Sequence, residues 1–155
     1  MPKKQEDSNT KNFWETKTLS EMTAEEWESL CDGCGQCCLH KFEDVAGSIY
    51  TTDVACRYLN LEKSKCSVYK KRKSLVPACF VLTPDNVSHA KGLPKTCAYR
   101  LLSEGKKLFD WHPLISKSAD AMKESKISVL GRVISESDIS AEKIQERITA
   151  PIDLK

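Results

Sequence analysis

Eight cysteines, all confined to the stretch from Cys31 to Cys97, constrain this chain of 155 residues more than any other feature. Cys31, Cys34, Cys37 and Cys38 crowd into the run Cys-Asp-Gly-Cys-Gly-Gln-Cys-Cys, and Cys56, Cys66, Cys79 and Cys97 follow at wider spacing. Two thiols separated by two residues in a turn can reach one metal ion, because the loop folds both sulfurs inward and glycines let backbone amides approach them. Cys31/Cys34 and Cys34/Cys37 both meet that rule. C-x2-C-x2-C is also the run by which bacterial ferredoxins hold an iron–sulfur cluster, completed by a remote fourth cysteine. Tetrahedral zinc asks for the same four thiolates, so spacing leaves the metal open between an iron–sulfur cluster, of the 4Fe–4S type, and zinc.

Adjacent Cys37 and Cys38 project in different directions in most backbone conformations, so they are expected to serve different centres. The eight thiols then divide into two four-cysteine sites. Cys31, Cys34 and Cys37 take one distal partner, and Cys38 joins the remaining three. A disulfide framework is disfavoured, because the polar start Met1 to Lys11 has no apolar signal segment and a cytoplasmic chain meets reducing conditions. No stretch approaches the roughly 20 apolar residues that cross a bilayer. Lys and Arg total 24 against 22 Asp and Glu, a balance that gives no field to gather nucleic acid or membrane. The partner expected is a redox or other protein.

One domain, residues 13–155, is expected behind a polar and mobile N-terminus, residues 1–12. Thr23 and Glu26 form a capping box for a helix that delivers the chain to Cys31, with Phe13, Trp14, Leu19, Trp27 and Leu30 as core. Gly33 and Gly35 predict a tight loop through the cysteine run. Ile49 to Val54 is β-prone; Cys66 to Leu75 predicts a polar helix ended by Pro77. Further helices are predicted at Thr83-Pro84-Asp85, from Thr96 to Glu104 before Gly105, and from Ser140 to a stop at Pro151, with a β-rich stretch at Ile127 to Ile134. The fold class is therefore small α+β, mainly α with minor β elements, organised by metal cross-links.

His40, His89 and His112 are expected to be hydrogen-bonded or solvated, and Lys70-Lys71-Arg72-Lys73 to be a solvated helix face rather than a phosphate contact. Trp111 to Leu114 reads as a packed aromatic turn. Phosphate-binding glycine loops, a Gly-x-Ser-x-Gly elbow and a His-Glu-x-x-His pair are all absent from the sequence. A thiol oxidoreductase using Cys31 and Cys34 lacks the βαβ context of such motifs. The backbone amides of Gly33 and Gly35 are candidate donors to cluster sulfur.

The chain resembles the CxxCxxCC cysteine-cluster family, the YcgN and YkgJ proteins described as zinc or iron chelators, and within it the YcgN branch. The likeness rests on Phe13-Trp14, Leu19 to Met22, Glu26 to Leu39, Val54 to Arg57, Cys79, Leu93 to Leu102, Glu104-Gly105 and Trp111 to Leu114, spanning roughly Phe13 to Ser135. It implies metal ligands at Cys31, Cys34, Cys37, Cys38, Cys56, Cys66, Cys79 and Cys97, and implies no reaction. This chain departs from the pattern at Ser64-Lys65-Cys66, where relatives often carry a C-x-C pair. The functions weighed are an iron–sulfur protein for electron transfer or structural cross-linking and, alternatively, a zinc-binding structural or interaction module.

Overall fold

A computed structural model describes residues 12–152, so the expectation for residues 1–11 lies outside the described part. Asn12 precedes a single helical turn, α1 (Phe13–Thr16), and accepts the Glu15 amide on its carbonyl. The Thr23/Glu26 capping box is present, with the Glu26 amide donating to Thr23 Oγ1 and the Thr23 amide donating to Glu26 Oε1. It starts α2 (Ala24–Ser29), which ends on the fully buried Leu30. Leu30 anchors the larger apolar cluster together with Val87, Leu93, Tyr99 and Leu101, and the expected core residues Phe13, Trp14, Leu19 and Trp27 pack against it.

Strand β1 (Leu39–Glu43) follows the cysteine run directly. It pairs antiparallel with β2 (Ile49–Ala55), the β-prone segment, through Lys41↔Thr51, Phe42↔Tyr50 and Glu43↔Ile49. A second hairpin pairs β3 (Leu59–Asn60) with β4 (Lys65–Cys66). The chain then makes a 3-10 turn at Tyr69–Lys71 and the one-turn helix α3 (Arg72–Leu75). The single helix predicted from Cys66 is thus corrected: Cys66 is held in the hairpin by Leu59, and helix begins only after Val68. At Thr83-Pro84-Asp85 the predicted helix is a turn, because Asn86 Oδ1 accepts the Thr83 amide and leads into a 3-10 segment at Val87–His89.

Helix α4 (Ala98–Ser103) matches the prediction, with Cys97 at its cap and the chain turning at Gly105. Two short helices, α5 (Pro113–Ser116) and α6 (Ala119–Glu124), pack on one another. The stretch from Ile127 yields only a short strand, β5 (Ile134–Ser135), parallel to β2 at Val54↔Ile134. Ser140 does open a helix, a 3-10 segment at Ala141–Arg147, but the chain then extends as β6 (Ile148–Ile152). Pro151 therefore stops no helix; it sits inside β6 opposite Tyr50, a position on an edge strand where a missing N–H costs little. Both β5 and β6 lie along β2, and Arg147 holds Asp53 with two 2.7 Å bonds at their junction. The class is small α+β, as the sequence indicates.

Candidate metal centre

The cysteine run leaves Leu30 as a loop clamped from several sides. His112, only 1% exposed, meets the Leu30 carbonyl through Nε2 at 2.8 Å and accepts the Leu114 amide on Nδ1. Both ring nitrogens are thereby used. Asp32 Oδ1 accepts the Cys34 amide at 2.9 Å, the Cys34 carbonyl accepts the Val129 amide at 2.9 Å, and Gln36 Nε2 donates to the Ile127 carbonyl at 2.8 Å. Ser64 Oγ donates to the Gly33 carbonyl at 2.7 Å, tying the β3–β4 turn to the loop. Cys37 and Cys38 follow in a 3-10 turn, Gln36–Cys38, opened by Gly35.

Gly33 and Gly35 both take positive φ, +75° and +80°, but only Gly35 is enclosed. A Cβ at Gly35 would lie 2.6 Å from Val129 Cγ2 and 2.8 Å from Ser64 Oγ, whereas nothing lies within 4 Å at Gly33. Gly33→Ala is expected to cost about 1 kcal/mol for the left-handed backbone alone. Gly35→Ala adds the clash and should cost about 3 kcal/mol. Thermal melts of the two variants read the difference directly.

The remaining cysteines come from separate elements. The Cys56 amide donates to the Cys38 carbonyl at 2.8 Å, the Leu59 amide to the Cys56 carbonyl at 2.9 Å, and Leu59 pairs with Cys66. Backbone bonding therefore strings Cys38, Cys56 and Cys66 together beside the smaller apolar cluster of Ala55, Leu59 and Val129. Cys79 is held near them by Lys73, whose Nζ donates to the Pro77 and Cys79 carbonyls. Cys97 instead packs in the larger cluster, close to Trp27 and to Tyr99, whose hydroxyl donates to the Trp27 carbonyl at 2.8 Å.

Electrostatic neighbours do not divide so cleanly, because Cys37 acts on Cys31, Cys34, Cys38, Cys79 and Cys97 alike. Cys31 feels Cys37 and Cys97, and Cys34 feels Cys37. Cys38 feels Cys56 and Cys66, and Cys79 feels both of those as well as Cys37. The expectation that Cys37 and Cys38 project apart is corrected: the 3-10 turn brings the two thiols into contact, and Cys38 donates to Cys37, which lowers Cys37 and raises Cys38. Loss of hydration pushes Cys31 up to about 12 and Cys97 up to about 11, and raises Cys34 further. A metal bound here must displace thiol protons, so its affinity rises with pH.

Cys31, Cys37, Cys38, Cys56, Cys66 and Cys79 all border one cavity of about 620 Å³. The eight thiols are free. Cys34 and Cys97 are not among the residues bordering the cavity, and the other six surround space without closing on a point: among the described residues no three Cys, His, Asp or Glu side chains stand close enough to hold a single ion. Asp32, the charge nearest Cys34, buries its Oδ2 with no hydrogen-bond partner in the described structure.

His40 and Glu136 border the same cavity, and Glu136 takes His40 on one oxygen and Arg57, at 2.7 Å, on the other. Every histidine expected to be bonded or solvated is so placed: His40 on Glu136, His112 under Leu30, and His89 on an exposed 3-10 turn. The basic run departs from a purely solvated face. Lys70 and Lys71 are exposed, but Arg72 stacks 3.8 Å over the Tyr69 ring at the cavity and Lys73 braces the Cys79 loop. Trp111 stacks on Phe109, consistent with an aromatic turn. Sequence reasoning missed Lys41 and Ser64, both of which act on the loop through contacts that only folding creates.

Fold and site together define a small α+β domain whose loops and hairpins gather free thiols around one cavity. No helix among the described residues is long and apolar enough to cross a membrane. The chain belongs to the UPF0260 family: it is 50% identical over 137 residues to a UPF0260 protein of Cellvibrio japonicus, covering 88% of this chain and 93% of that one. It is 55% identical over 130 residues to one of Gluconacetobacter diazotrophicus, covering 83% and 81% respectively. With one of Rhizobium etli it shares 49% over 137 residues, covering 88% and 87%. No family profile matches the chain, and no solved structure matches it.

Proposed function

We propose that this is a metal-binding protein that holds iron–sulfur clusters through Cys31, Cys34, Cys37, Cys38, Cys56, Cys66, Cys79 and Cys97, for electron transfer or structural cross-linking. The observation that carries the reading is the placement of six thiols around a cavity of about 620 Å³. A single zinc ion needs four sulfurs drawn in to about 2.3 Å. A cluster brings its own iron and sulfide atoms and occupies space between thiols that stand apart. Resemblance to the CxxCxxCC cysteine-cluster proteins points the same way, and the UPF0260 relationship is compatible with it.

In this reading Cys31, Cys34 and Cys37 with Cys97 form one four-thiol set and Cys38, Cys56 and Cys66 with Cys79 the other, with Cys37 lying between them, since it touches Cys38 and neighbours Cys79. Bound clusters would supply one-electron redox chemistry, and the chain supplies thiolates around the cavity and amides at Gly33 and Gly35. Anaerobic purification from iron-replete cells should give a brown protein with visible absorption, iron and acid-labile sulfide. A colourless product containing zinc and no sulfide would establish the zinc module instead.

A further inference from the structure

Lys41 stands out among the charged groups of the chain because its side chain turns inward. It extends from β1, and its ammonium donates to the carbonyls of Gln36 at 2.9 Å and Leu39 at 3.0 Å, the residues that bracket Cys37 and Cys38. Gly92 covers the stem so closely that a Cβ there would lie 3.1 Å from Lys41 Cδ. Lys41 is among the residues bordering the thiol cavity. Burial holds the Lys41 ammonium below the ordinary lysine value, and the charges of Cys37, Cys38 and Cys34 act in the opposite direction, favouring its protonated form. Lys91 borders the same cavity but is largely exposed and faces Glu43 at 3.6 Å.

A buried ammonium fixed by two backbone carbonyls loses little entropy on meeting an anion, and its third N–H remains for a sulfur. Four thiolates gathered in one set carry a charge that low-dielectric surroundings penalise, and a fixed positive charge beside them offsets that penalty. It does so most for the state with the greatest negative charge, which is the reduced one. Net charge and hydrogen bonds to sulfur are among the levers that set a cluster's potential.

We infer that Lys41 is a positioning residue for the metal centre: its ammonium, clamped on the Cys37–Cys38 turn, is the fixed counter-charge that stabilises the reduced, more anionic state of the bound cluster. This inference rests on the metal-binding reading above.

The test compares the midpoint potential of the as-purified protein with those of Lys41→Met, Lys41→Arg and Lys91→Met. Lys41→Met should fall by a tenfold change in the reduced-to-oxidised ratio, about 59 mV for one electron. Lys41→Arg should restore most of it and Lys91→Met should match wild type. Lys41→Gln substitutes for the methionine variant if that chain fails to fold. A wild-type chain that carries zinc, which has no reduced state, overturns the inference while leaving a thiol-held metal site. Equal values in wild type and Lys41→Met at equal metal content overturn the inference and leave the metal-binding reading standing. A wild-type chain without metal overturns both.

Discussion

Cys97→Ser and Cys66→Ser chains, purified anaerobically, are each expected to keep about half the metal and visible absorption of the wild-type protein, and the double variant to keep none. The expectation follows from where the two thiols sit. Cys97 caps α4 in the larger apolar cluster, beside Cys31 and Cys37, whereas Cys66 is fixed by the β3–β4 pairing next to Cys38 and Cys56. Each variant removes one donor from one set and leaves the other set complete. Complete loss in either single variant would mean one centre shared by all the thiols. Unchanged metal in Cys97→Ser would make that thiol a small buried apolar residue, a common role for free cysteine. Metal and sulfide quantitation per chain decides among these outcomes.

His112→Ala is expected to be the most destabilising single change away from the cysteines. The ring is 1% exposed and both nitrogens are used, one on the Leu30 carbonyl and one by the Leu114 amide. Truncation leaves a cavity and an unsatisfied buried carbonyl, together about 4 kcal/mol. For a chain of this size that corresponds to a fall in melting temperature of about 10 °C. The lost contact also lies at the entry to Cys31, so metal content should fall with stability. A melting temperature within about 2 °C of wild type would show that the surroundings close over the gap.

The sequence carried the helix into Cys31 plainly, because a capping box and an apolar pair are local signals. The loop was equally readable from Gly33 and Gly35. What could not be read depends on distant pairing. β1 looks unremarkable as Leu-His-Lys-Phe-Glu and becomes a strand only because β2 returns beside it. Val129 belongs to an apolar run that promises a longer strand, yet its amide goes to the Cys34 carbonyl and the strand is reduced to Ile134–Ser135. β6 was hidden by Pro151, since a proline argues against a strand unless its position at a sheet edge is known. At the site, the thiols were identifiable from spacing alone. The brace from Ser64 and the inward turn of Lys41 were not, because neither residue is chemically distinctive until its neighbours are in place.

The central strand of the sheet has a consequence for the order of biosynthesis. β2 receives β1 from the adjoining hairpin, but its other side waits for β5 and β6, and Thr149 meets Thr51 across 98 positions. All eight cysteines have by then been translated. A growing chain thus carries all its thiols while one flank of their supporting sheet is still open. Closure of that flank therefore follows synthesis of all the thiols, and a chain truncated before β5 should lack the protease resistance of the full one.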